Sequence, residues 1–187
     1  MENLIIEIMS SLDNKNYLSA LALTLTLPDI CGKIAYPEET GKGAVGRRYA
    51  KWYDEHIYEH ESKPELKQKI EELGKFDGWA VYKLRCNLLH DGSSDIEEYM
   101  KKQNRQKKSI NFVFELTDSI TSYSKSYEDN EDDCSIKIRI GIIDFCHKMC
   151  SAAEAFYNKN SKRDIFNNII ISDDLYRILR LNDPNKA

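Results

Sequence analysis

The run Tyr17-Leu18-Ser19-Ala20-Leu21-Ala22-Leu23-Thr24-Leu25-Thr26-Leu27 constrains this chain more than any other feature. It is apolar nearly all round, and a helix of that kind is stable only when other elements cover every face. The pattern predicts a central, buried helix from Tyr17 to about Ala35. Pro28 interrupts it and should kink it or start a fresh turn. Asp29 then falls beside the kink on a largely buried helix. A buried carboxylate wants a cation, and Arg85 and Arg47 are the candidates. Equally, Asp29 can be read as a first-turn acid behind Pro28 that favours a helix N-terminus.

Other helices must supply the cover. A first helix is expected from Leu4 to Leu12, ending at Asp13-Asn14-Lys15-Asn16, and a third from Arg47 to Tyr58 after a glycine-rich loop from Pro37 to Gly46. A short helix follows near Glu65 to Leu73, then a helix over Trp79–His90 and another short one at Asp95 to Gln103. The pattern then changes. Ile110, Phe112, Phe114 and Leu116 alternate with Asn111, Val113, Glu115 and Thr117, the period of a half-buried strand. Ile136, Ile138 and Ile140 alternate with Lys137 and Arg139. The acidic stretch Lys125 to Asp133 reads as the tip of a hairpin between them. One hairpin alone is marginal, so it should lie on the helices or extend across a partner. A last long helix should run from Ile142 to Asn158, with a looser tail behind it.

At 187 residues, 41% hydrophobic and 31% charged, the chain has the size and composition of one folded, mainly helical domain over 1–187, with an inserted hairpin at about 109–140 and a loosely packed tail at about 160–187. No apolar run is expected to approach the roughly 18 residues of a membrane span, and the N-terminus lacks the basic region and cleavage site of a signal peptide. Five cysteines without such a signal favour reduced thiols in the cytoplasm. A net charge of −4 argues against a general nucleic-acid coat but leaves room for a local basic groove.

Chemistry concentrates in Tyr82-Lys83-Leu84-Arg85-Cys86-Asn87-Leu88-Leu89-His90-Asp91-Gly92. Arginine is a forked, permanently charged donor to phosphate oxygens, and histidine exchanges protons near neutral pH. Five residues turn a regular α-helix by roughly 140°, so Arg85 and His90 would not share a face, whereas Asn87 and His90 would. Read without chemistry, Arg85 is a structural ion pair and His90 a C-terminal capping residue. The Arg85-x4-His90 spacing, with polar Asn87 close behind the arginine, resembles the HEPN superfamily (higher eukaryotes and prokaryotes nucleotide-binding). An extended form of that motif has an upstream glutamate and then Lys-Arg; here Leu84 separates Lys83 from Arg85. The resemblance implies a HEPN-like helical bundle and a metal-independent endoribonuclease in toxin, antiphage or RNA-processing settings. Arg85, Asn87 and His90 would then be catalytic, with no cofactor and with pairing of two copies through the motif helix. It also admits a catalytically silent module that binds nucleotide, RNA or a protein.

Lys101-Lys102-Gln103-Asn104-Arg105-Gln106-Lys107-Lys108 follows the motif. It is either a solvated linker or, with Arg47 and Arg48, a set of phosphate contacts drawing RNA towards His90; Trp52 and Tyr53 would offer stacking surfaces or simply fill the core. Three further patterns carry less. His56-Ile57-Tyr58-Glu59-His60 has the spacing of a zinc hydrolase motif, but Pro64 ends its helix almost at once. Cys146 and Cys150 share a stripe with Ile142, Ala153 and Phe156, which points to core packing and not to a metal. Gly41 to Gly46 follows a helix and not a strand, so a phosphate-loop reading fails. No metal is expected.

Overall fold

The computed structural model describes residues 1–61, 76–103, 110–118, 123–129 and 134–160. The protein is mainly helical. Helix α1 spans Glu2–Asp13, α2 Tyr17–Thr24, α3 Leu27–Ala35 and α4 Ala44–Tyr53. A π-helical turn, Asp54–Tyr58, continues α4. The motif helix α5, Gly78–Cys86, likewise runs into a π turn, Asn87–Asp91, and α6 covers Glu97–Gln103. Strands β1 (Ile110–Thr117), β2 (Tyr123–Asp129) and β3 (Cys134–Gly141) precede the long helix α7, Ile142–Asn160. The helix expected at Glu65 to Leu73 and the C-terminal tail lie outside the described residues.

The buried stretch at Tyr17–Ala35 is two helices, not one. Pro28 has no N–H to return to the preceding turn, and the chain bends at Leu25–Thr26. There the Leu23 carbonyl, at the end of α2, accepts twice from Thr26, from its backbone N–H at 3.0 Å and its hydroxyl at 2.6 Å. Pro28 thus sits at the start of α3. Over 18 residues this stretch reaches a mean hydropathy of 1.4, so the expectation that no run approaches a membrane span is corrected on length and composition. In this fold the stretch serves as core. Ala20, Leu21, Leu25, Leu27 and Cys31 are fully buried together with Ile8, Tyr49, Trp52, Val81 and Met149. Roughly 25 cal/mol for each Å² of apolar surface buried makes this cluster the main source of stability.

The sheet differs from the expected hairpin. Its order is β1-β3-β2, with β1 parallel to β3 and β2 antiparallel to it. The segment beginning at Lys125, expected as a loop, is part of β2: the register sets Tyr123 opposite Ile140 and Lys125 opposite Ile138. A hairpin is present, but β2 and β3 form it. Alternation reveals a strand without naming its partner, and the acidic residues masked the period of β2. Glu115 fixes the parallel pair, its carboxylate meeting Arg139 at 3.0 Å and Lys137 at 2.5 Å. Ile138 and Ile140 are buried, and the sheet meets α6 through β1 and α7 through β3.

Two contacts set the motif helix in place. Any Cβ on Gly78 would collide with the Ala50 backbone of α4, so only glycine allows this approach. The first π turn then brings Asp54 round, and its Oδ1 accepts from the Gly78 N–H at 2.7 Å. Asp77 caps the helix by accepting from Ala80 N–H at 3.0 Å.

Candidate active site

Arg85 and His90 meet. Nη1 of Arg85 lies 3.2 Å from Nε2 of His90, although a regular helix would put them on different faces. The π turn at Asn87–Asp91 removes the conflict. Its wider winding, with i→i+5 bonding, swings His90 back over Arg85. The turn closes on Gly92, whose φ of 63° is left-handed and whose N–H bonds the Asn87 carbonyl. Arginine has no acceptor, so Nη1 donates and Nε2 must carry the lone pair. The contact is a hydrogen bond in the neutral tautomer that carries its proton on Nδ1.

Asp29 completes the set. Arg85 Nε donates to Asp29 Oδ2 at 3.1 Å, and both side chains are 21% exposed. Arg85 is thus held from α3 at one end of its fork and presents the other end to His90. Burial pushes the Asp29 carboxyl upward, against the pull of Arg85 and then Arg48. For Arg85, burial works against the charge, but the opposing pull of Asp29 and Cys86 leaves it shifted upward. Oδ1 of Asp29 is buried and finds no partner among the described residues. The arginine is therefore neither a fully buried structural ion nor a free cleft residue: it is half-buried, anchored and pointed. The Cys86 thiol also contributes to the upward shifts of Arg85 and Tyr82.

Asn87 is not brought into this set. Its amide donates to the Asp95 carbonyl, and it lines a separate groove of about 410 Å³ with Lys83, Tyr99 and Lys102. Asn87 thereby ties the end of the motif to the chain leading into α6. The expected phosphate contacts are also engaged elsewhere. Arg47 pairs with Glu39 at 2.7 Å and donates to the carbonyls of Lys42 and Thr40, while Arg48 donates to the Glu39 carbonyl at 2.8 Å. Together they hold the loop before α4. Lys102 pairs with Glu98 at 2.7 Å. The side chain of Lys101 and all of Arg105 lie outside the described residues.

The weaker patterns resolve as packing. His56 stacks on Trp52 with centroids 4.9 Å apart and meets Phe156 edge-on. Trp52 and Tyr53 are buried. Cys31, Cys146 and Cys150 are buried free thiols. No group of three or more potential metal ligands occurs among the described residues.

Sequence reasoning missed Trp79. Its indole is 41% exposed at the start of the motif helix and packs edge-to-face on Tyr82, 5.9 Å away. The signal was the Trp79-x-x-Tyr82 spacing, which puts two aromatics on one helix face leading to Cys86. Comparison of the chain with protein families, with curated proteins and with solved structures found no match.

Proposed function

We propose that the protein is a metal-independent endoribonuclease of the HEPN type. The observation that carries this reading is the contact of Arg85 with His90 across the π turn, with Asp29 steadying the arginine. The lone pair on Nε2 is a base suited to the 2′-hydroxyl proton. As that proton moves to His90, the 2′-oxygen attacks phosphorus, and Arg85 stabilises the charge gathering on the phosphorane oxygens. The bond to the 5′-oxygen then breaks, and a proton must reach that oxygen. One motif offers one such histidine, so a second copy of the chain, paired through the motif helix, would supply the acid. That assembly is a two-fold homodimer with a composite cleft. The products are a 2′,3′-cyclic phosphate and a 5′-hydroxyl. A cytoplasmic setting, in toxin, antiphage or RNA-processing work, belongs to the same proposal.

The Asp29–Arg85 ion pair favours a second reading, a silent module in which Arg85 is a structural residue. Incubation of the purified protein with mixed RNA in excess chelator separates the two. The enzyme reading expects cleavage that His90→Ala abolishes, and the silent reading expects none.

A further inference from the structure

We propose that the Arg85–His90 contact is the closed state of the site and that a bound phosphodiester opens it. The proposal rests on the ribonuclease reading above and adds how that site is regulated. An imidazole nitrogen without a proton has one lone pair to offer. At Nε2 of His90 that lone pair accepts from Nη1 of Arg85 at 3.2 Å. It cannot take the 2′-hydroxyl proton at the same time. The hydrogen that Arg85 gives to Nε2 is likewise withheld from a phosphate oxygen. The two groups are assembled, but each occupies the other.

The contact is built to part from one side. Arg85 is anchored, because its Nε donates to Asp29 Oδ2 at 3.1 Å and its side chain is 21% exposed. His90 is exposed, and its ring makes no other hydrogen bond among the described residues. It also stands near the end of the π turn, two residues before Gly92. The ring can therefore swing off the guanidinium and leave Arg85 standing on α3.

A phosphodiester supplies the bias. Nη2 of Arg85 has no partner among the described residues, so an approaching phosphate oxygen meets a donor before the contact breaks. A guanidinium holds phosphate best through two parallel N–H donors. With Nε taken by Asp29, the second donor is Nη1. Phosphate also brings a full negative charge to the guanidinium, which a neutral imidazole does not. No proton changes owner: Arg85 keeps its hydrogens, an N–H···N bond is exchanged for N–H···O bonds, and the Nε2 lone pair is left free. A ligand shifts such an equilibrium only by binding one state better, and the open state offers phosphate one donor more. The base is thus unmasked where a phosphodiester is already bound.

Nitrogen-15 spectra read the contact directly, because accepting a hydrogen bond moves the signal of a lone-pair nitrogen. The chain has four histidines, and His90→Ala identifies the signal. The test uses the full chain at mildly alkaline pH, where an ordinary imidazole is neutral. One probe is dimethyl phosphate, a diester with no proton to donate. The other is an oligodeoxyribonucleotide, which carries diesters but no 2′-hydroxyl and is not cut. Before any probe, wild type and Arg85→Ala should differ at Nε2. Either probe should move the wild-type signal, saturably, towards the Arg85→Ala position and beyond the effect of equal sodium chloride. In Arg85→Ala the movement should be far smaller. Identical starting spectra, a wild-type signal that neither probe moves, or equal movement in both proteins overturns the proposal. RNA cleavage with the signal unmoved would cost only this proposal; the expected movement in a protein that cuts no RNA would cost only the ribonuclease reading.

Discussion

Nη1 of Arg85 stands 3.2 Å from Nε2 of His90, five residues further along a helix that, if regular, would turn them roughly 140° apart. The π turn is what makes this contact. π turns inside α-helices are rare and cluster at functional positions; here one places a proton acceptor against a fixed cation.

The turn depends on Gly92. Its φ of 63° is strained for any residue with a side chain, and no atom would crowd an added Cβ. Gly92→Ala should therefore cost about 1 kcal/mol through backbone strain alone. Thermal unfolding should show a lower midpoint, and the His90 resonances should broaden or shift while core resonances stay in place.

Asp29→Ala should release Arg85. Because the pair is half-buried, the stability loss should be near 1 kcal/mol, well below the cost of breaking a fully buried pair. Cleavage should fall by about tenfold or more, because a loosened guanidinium no longer waits in position. Nitrogen-15 spectra of His90 at alkaline pH supply the separate readout. The wild type should show the proton on Nδ1, and Asp29→Ala should resemble Arg85→Ala. A wild-type spectrum in Asp29→Ala would mean that the aspartate merely packs.

The two packing glycines should rank by what lies in the way. At Gly46 an added methyl meets the far edges of the Trp79 and Tyr82 rings. The rings can give, and Gly46→Ala should cost about 1–3 kcal/mol. At Gly78 the obstacle is the Ala50 backbone, which cannot give without separating α4 from α5. Gly78→Ala should cost clearly more in chemical denaturation.

Stability should decline above pH 9. Burial pushes the Cys31 and Cys150 thiols up to about 12 and Cys146 up to about 11, from an ordinary value of 9.0. In that window the folded state keeps protons that the unfolded state releases, so the stability they contribute is present below pH 9 and lost as pH rises towards 11–12. Each thiol adds a slope of at most about 1.4 kcal/mol per pH unit. Urea unfolding between pH 8 and 10 should show the decline, and Cys31→Ala should flatten it.

Much of the helical body was legible in the sequence, and the reasons are local. The all-round apolar pattern of Tyr17–Ala35 announced a buried segment, and Pro28 announced its break. The need of Asp29 for a cation pointed to Arg85 as one of two candidates, and the structure pairs them. The sheet was half-legible, because alternation identifies β1 and β3 but cannot choose parallel over antiparallel pairing, and the charges of β2 hid its period. The π turn was illegible: α-helical arithmetic separates Arg85 from His90, and no residue type signals the extra winding. The same wide turn sends Asn87 to Asp95, where spacing had placed it beside His90.

The most direct test of the account is RNA cleavage in excess chelator by wild type, Arg85→Ala and His90→Ala, with analysis of the new ends. The account expects 2′,3′-cyclic phosphate and 5′-hydroxyl termini, with each variant slower by on the order of 100-fold or more. Cleavage that disappears with chelator, or that survives in His90→Ala, would contradict it.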